Sequence, residues 1–311
     1  MSNSPLVSAI IPTYNRADVV FEAVDSVLGQ TYSNLEVIVV DDGSADETVA
    51  RLRRYGDRIR LVSQENAGPA VARNRGVAVS RGEYIAFLDS DDLWLPTKVE
   101  QQVVLLEKAG KSVPCCLCNI MMRWYERDIA SFEIASLKPS ADEGIWVNAG
   151  EILATRFVLF NQGIVIRRDV LERIGGFDES LRLLEDHELA LRLSLEGPWS
   201  FIKEPLVIWR ETAGSLYHEA HTEEICSKAV QILEKQLARL NEDHRHTTLR
   251  RHLNRELKRA RRSLWATQVS QKTSWGASRV GETLLKIEQY RSAVFRRSPW
   301  FPKMMVTRLA P

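Results

Sequence analysis

No apolar run among the 311 residues approaches the roughly 18 that a helix needs to cross a bilayer, so no membrane-spanning helix is expected. The apolar start Leu6–Ile11 is too short to span and no basic stretch precedes it, which argues against a signal peptide and for a cytoplasmic location. Cysteine is scarce as well: four in a chain of this length form no disulfide framework. Cys115 and Cys118 make a C-x-x-C, but they lie in the strand-like stretch Val113–Ile120. Alternation sends them to opposite faces, and no second pair exists to complete a zinc site. They read as small buried hydrophobes. Internal repeats and low-complexity tracts are also missing. Net charge is nearly absent at +1, yet this conceals an asymmetry. Residues 227–311 hold 19 Lys and Arg against 6 Asp and Glu, whereas residues 1–226 hold 23 against 35. An acidic front and a basic tail are expected to have different surroundings.

What is present is an alternation of strand and helix signals. Val7–Pro12 is a short apolar run, and Val20, Val24, Val27 and Leu28 follow helical spacing. Leu35–Val40 is a β-branched run, after which Ser44 and Glu47 have the spacing of a capping box for a helix reaching about Tyr55. Ile59–Val62 reads as strand, Pro69–Ser80 as helix and Tyr84–Leu88 as strand, and Pro96 is placed in the first turn of a further helix. This order predicts an α/β fold with a mostly parallel sheet flanked by helices and ligands at the carboxyl ends of the strands. Residues 113–222 are less regular, with strands at Val113–Met121, Gly163–Ile166 and Leu206–Trp209. From Glu223 to about Thr267 the chain reads as helical, with Val230, Leu233, Leu237 and Leu240 as its apolar stripe. Two regions are expected: 1–222, itself split at 112/113, and a basic helical region 223–311.

Three polar clusters fall at strand ends: Thr13–Arg16, Asp41–Ser44 and Asp89–Asp92. The last is the most telling, because three carboxylates crowd one turn. Strand alternation would aim Asp89 and Asp91 the same way. Hard oxygen donors of that kind suit Mg²⁺ or Mn²⁺ holding a diphosphate; the competing reading is a solvated acidic turn.

Ser8-Ala-Ile-Ile-Pro-Thr-Tyr-Asn15, Val39–Ser44, Asn66–Gly76 and Phe87–Asp92, followed in order by Gly175–Glu179 and Glu185-Asp186, resemble the family 2 glycosyltransferases over roughly residues 6–215. The resemblance implies a GT-A-like fold with 1–112 as nucleotide-binding half and 113–222 as acceptor half. It also implies a nucleotide-sugar donor, Mn²⁺ or Mg²⁺, and inversion at the anomeric carbon. By position, Pro12 and Tyr14 match residues that border base and ribose, and Asp42 the carboxylate facing the base. Arg73 matches a basic residue near the donor phosphates, with a plain surface arginine as the competing reading. Asp89 and Asp91 match the metal pair, Asp91 as the direct ligand and Asp89 toward the ribose or metal-bound water. Asp186 matches the general base. Ser44 is read as a helix cap, Asp41 as a possible second cap, and Asp92 as closing its turn.

Two departures stand out. Leu191–Ser194 replaces the Q-x-x-R-W of processive relatives, which implies one sugar added per encounter. Trp209–His218 stands where relatives place an Arg-x-x-His-like element, and only His218, further along, could substitute. The expected function is a non-processive transferase building cell-surface polysaccharide from a UDP-sugar on a glycan or lipid-linked acceptor. The alternatives are a catalytically degenerate nucleotide-binding module and a sugar-phosphate nucleotidyltransferase, although Thr13–Arg16 is not the Gly-rich basic loop the latter requires. The eight basic residues of 245–262, with Trp265, Trp275, Trp300 and Phe301 beyond them, suit an anionic membrane surface, a solvated helical cover or an interface to another subunit. No nucleic acid is expected, since no recognition fold accompanies the charge.

Overall fold

The computed structural model describes residues 4–123, 128–156, 161–212, 222–240 and 246–272. The chain divides into two compact units, one of residues 1–149 with 159–213, the other of 150–158 with 214–311.

The first unit starts with four parallel strands, β1 (Val7–Thr13), β2 (Leu35–Asp41), β3 (Arg60–Ser63) and β4 (Tyr84–Phe87), in the order β3-β2-β1-β4. Helices α1 (Val20–Leu28), α2 (Thr48–Leu52) and α3 (Pro69–Val79) connect them. All seven residues of β1 are buried, as expected of a strand covered on both faces. On α3 there is room for no side chain at Gly76, because a Cβ there would stand 2.4 Å from Ile10 Cγ2. The rest of the unit comprises β5 (Leu93–Trp94), α4 (Lys98–Ala109), β6 (Cys115–Arg123), β7 (Asp128–Ala130), α5 (Ser131–Ile134) and β8 (Glu143–Trp146). After α6 (Ala149–Thr155) it resumes with β9 (Ile164–Arg167), α7 (Arg168–Arg173), α8 (Glu185–Leu193) and β10 (Trp199–Arg210). Antiparallel β9 joins β4 to β6, and β10 then runs parallel to β6, so the sheet continues β4-β9-β6-β10-β5. The α/β architecture expected from the alternating signals is therefore present.

Several local expectations need correction. Ser44 and Glu47 form no capping box: α2 starts at Thr48 with no side-chain cap, and the Ser44 hydroxyl is taken by the Asn15 N–H instead. Asp46 fills the gap by accepting from the Thr48 N–H and hydroxyl. The helix also stops at Leu52 and continues as a 3-10 turn, where Gly56 has a φ of 55°. Pro96 precedes α4 rather than opening it, since the helix begins at Lys98. All four cysteines are buried and free.

In the second unit α9 (Thr222–Arg239) and α10 (Thr247–Lys272) replace the single helix read from Glu223 to Thr267. The buried face of α9 is Ile225, Cys226, Ala229, Ile232, Leu233 and Gln236, so Val230 and Leu237 flank the apolar stripe rather than centre it. On α10 the buried residues are Leu249, Leu253, Glu256, Leu257 and Ala260. An ion pair of 2.6 Å from Arg261 to Glu234 ties the two helices. Among the described residues no helix is long and apolar enough to cross a membrane.

Candidate functional site

Strand register fixes where the polar clusters meet. Thr13 stands opposite Asp41, and Asp41 opposite Ser63, so β1, β2 and β3 end level with one another. β4 stops earlier, with Phe87 opposite Ile10, which leaves the following residues free to form an acidic turn beside those ends. That shorter strand corrects the sequence expectation: Asp89 and Asp91 lie beyond it, and the turn, not pleat alternation, sets their directions. Asn15, at a φ of 51°, donates its N–H to Ser44 Oγ at 2.8 Å and accepts the Ala45 N–H at 2.8 Å, locking the β1 and β2 loops together. Tyr14 beside it is 47% exposed.

Asp42 is buried, its Oδ1 accepting from Gln64 Nε2 and the Ala67 N–H and its Oδ2 from the Gly68 N–H at 2.8 Å. It thus anchors the loop leading to α3. Gly43 follows at a φ of 81°, where a Cβ would meet the Asn66 nitrogen at 2.9 Å. Buried Asp41 accepts the Ser44 N–H at 3.3 Å.

Arg73 is 4% exposed, which overturns its reading as a surface arginine. Its guanidinium donates at 2.7 Å to Asp89 Oδ1 and at 2.7 Å to Glu185 Oε1, and lies 5.3 Å from the centre of the Phe177 ring. Burial alone would disfavour its charge, but the two carboxylates outweigh that and raise its pKa. One side chain from α3 therefore bridges the acidic turn and the start of α8. Gln162 Nε2 donates to the other oxygen of Asp89 at 2.5 Å.

Asp91 accepts from the Thr212 hydroxyl at 2.5 Å, and Arg16 Nε stands 3.7 Å from the same oxygen. Burial raises the Asp91 pKa, and Asp89 adds to the rise. Asp92 does more than close its turn. Its Oδ1 accepts the Arg210 N–H at 2.9 Å, which ties the turn to the end of β10, while its buried Oδ2 has no hydrogen-bond partner. Burial and then the neighbouring Asp91 push its pKa well up. Such crowded hard oxygens, one of them unsatisfied, fit Mg²⁺ or Mn²⁺, which bind through one or two carboxylates and leave places for water and phosphate. Among the described residues no group of three His, Cys, Asp or Glu could hold a metal on its own. His218 lies outside the described residues.

At the start of α8, Leu184 holds a left-handed φ of 62°, rare for a bulky side chain. It turns the chain so that Glu185 reaches Arg73 while Asp186, partly exposed, meets only the His187 N–H at 2.7 Å. Burial, and then the adjacent Glu185 carboxylate, raise the Asp186 pKa to about 7. His187 is pushed down to about 4 by burial, which keeps it neutral. Glu188 and Arg192 form a buried ion pair at 2.6 Å, so both support the helix.

The structure thus brings Asp89, Asp91, Arg73 and Asp186 into one connected cluster, with Pro12, Tyr14 and Asp42 at the level β1 and β2 ends. Sequence reasoning placed Arg16 in the Thr13–Arg16 cluster and Arg210 and Thr212 in Trp209–His218 without giving them a role. It missed Gln162, whose signal was Asn161-Gln162, two amides entering a strand that is otherwise apolar.

The family model for glycosyl transferase family 2 matches residues 8–131. An uncharacterised glycosyltransferase of Rickettsia typhi is 37% identical over 190 residues, covering 60% of this chain and 58% of that protein. A UDP-Glc:α-D-GlcNAc-diphosphoundecaprenol β-1,3-glucosyltransferase of Escherichia coli is 34% identical over 161 residues, covering 51% of this chain and 62% of its own. The chain therefore spans less than two thirds of the length of either relative. Among solved structures, TarS of S. aureus, residues 1–349 with UDP-GlcNAc, superposes with a TM-score of 0.67 at 21% identity, over 86% of this chain and 76% of that one. At that identity the likeness concerns the fold.

Proposed function

We propose, from the match of residues 8–131 to the model for glycosyl transferase family 2, that the chain is a non-processive, inverting transferase of that family. Its donor is a nucleotide-sugar, a UDP-sugar first of all, and its acceptor a glycan or lipid-linked saccharide in cell-surface polysaccharide synthesis. The observation that carries this reading is the Asp89–Arg73–Glu185 bridge, because it sets the acidic turn beside a carboxylate, Asp186, whose pKa is about 7.

In this mechanism Tyr14 offers its exposed ring to the base, with Pro12 at its border. Asp42 Oδ2, which accepts one hydrogen bond, keeps a lone pair for a base N–H. Asp91, with Asp89 beside it, would hold Mn²⁺ or Mg²⁺, and that ion would supply positive charge to stabilise the departing diphosphate. Arg73 and Gln162 fix both oxygens of Asp89 so that the turn need not rearrange. Asp186 takes the proton from the acceptor hydroxyl during attack. A carboxylate with a pKa of about 7 is a much stronger base than an ordinary one, and still ionised in half the molecules near neutrality. Attack from the side opposite the leaving group inverts the anomeric centre. The Escherichia coli relative, named for a diphosphoundecaprenol-linked acceptor, supports a lipid-linked acceptor, and with such an acceptor the enzyme would work peripherally at the membrane from the cytoplasm.

The test is donor hydrolysis and transfer across a panel of nucleotide-sugars, with Mn²⁺ or a chelator. Asp186→Asn is expected to lower transfer at least about 100-fold while nucleotide affinity stays within about twofold. Transfer that survives the substitution would remove Asp186 from the role of base. A panel giving neither hydrolysis nor binding would remove the donor assignment.

A further inference from the structure

We propose that the second unit carries a binding site for a phosphate or diphosphate group, separate from the acidic cluster. A cavity of about 300 Å³ lies there, lined by Thr155 and Arg156 at the end of α6 and by His252, Arg255, Glu256 and Arg259 of α10. The four α10 residues are spaced i, i+3, i+4, i+7, so they share one helix face. Three cationic side chains and one anionic one meet at this cavity. The anion is committed: buried Glu256 pairs with Arg259. Arg156 and Arg255 have no side-chain hydrogen bond or ion pair among the described residues, and the buried His252 Nδ1 has no partner either.

Two guanidinium groups, Arg156 half-buried and Arg255 exposed, beside an orphaned imidazole nitrogen leave a charge surplus that nothing among the described residues balances. The buried arginines of the first unit, Arg73 and Arg192, find carboxylates. Guanidinium forks match phosphate oxygens in pairs, and the volume admits a diphosphate. The same chemistry is offered by a soluble phosphate and by an anionic lipid headgroup. This site does not depend on the transfer reaction, because none of its residues belongs to the acidic cluster.

Calorimetry with inorganic pyrophosphate, in chelator and with no divalent ion, tests the soluble source. Cosedimentation with phosphatidylglycerol vesicles, against phosphatidylcholine ones, tests the headgroup. The full chain is compared with Arg156→Gln/Arg255→Gln and, separately, with His252→Ala, each checked by circular dichroism and for unchanged donor hydrolysis. Saturable binding in at least one arm, weakened tenfold or more by the double substitution, is the expected result, and the arm that responds names the source. His252→Ala is expected to weaken the same arm by a smaller factor. No binding in either arm, or binding that both variants retain in full, would overturn the site.

Discussion

At Asp186 the same burial that suits a proton acceptor also burdens the folded chain. Its pKa rises from the ordinary carboxylate range to about 7 on folding, so between these values the folded form binds the extra proton more tightly than the unfolded one. Stability is therefore gained at low pH and lost as pH rises through about 7. Asp186→Asn removes the ionisable group, so its melting temperature should exceed the parent's at pH 8, with the gap closing toward pH 5. A gap independent of pH would show that the carboxylate is not strained by its surroundings. The signal for this residue was present in the sequence as Glu185-Asp186, but its energetics were not. They come from burial and then from the Glu185 carboxylate, against the opposing pull of Arg73, 113 positions earlier in the chain.

Between elements, legibility followed range. The β1–β4 strands and their helices were readable because each is an apolar run or a helical spacing within a few residues. Ser44 was misread as a cap because its true partner, the Asn15 N–H, lies 29 residues away on another loop. Gln162 was not read at all, since its contact with Asp89 spans 73 residues. Arg73 shows the energetic side of such long-range ties, joining α3 to the acidic turn and to α8. Arg73→Met keeps bulk but leaves the buried Glu185 without its cation, and is expected to cost about 3–5 kcal/mol in urea unfolding. Adding Glu185→Leu should restore much of that loss, because the orphaned charge is then gone. A loss below about 1 kcal/mol, the range of exposed pairs, would show that the bridge is wet and weak.

For the molecule as a whole, the division into units does not follow a single cut in the chain. Residues 150–158 belong with 214–311, and within them Leu153 and Ala154 are fully or almost fully buried. A chain ended at residue 213 keeps that segment but loses the rest of its unit. It is expected to melt below the full chain and to bind a hydrophobic dye; equal melting with no dye binding would show that the segment buries itself without α9 and α10. The basic tail, read from the sequence as one helix to about Thr267, resolves where described into two, and Arg259 and Arg261 of the second are held in ion pairs. The ten-stranded sheet ends at β3, four residues long with Arg60 exposed, and at β5, two residues long, while β7 and β8 are three and four residues. Rims this short, one carrying a cation, give a second copy almost no hydrogen-bonding ladder to extend. In a crowded solution the described sheet consequently offers little means of growing edge-to-edge fibrils from the native state.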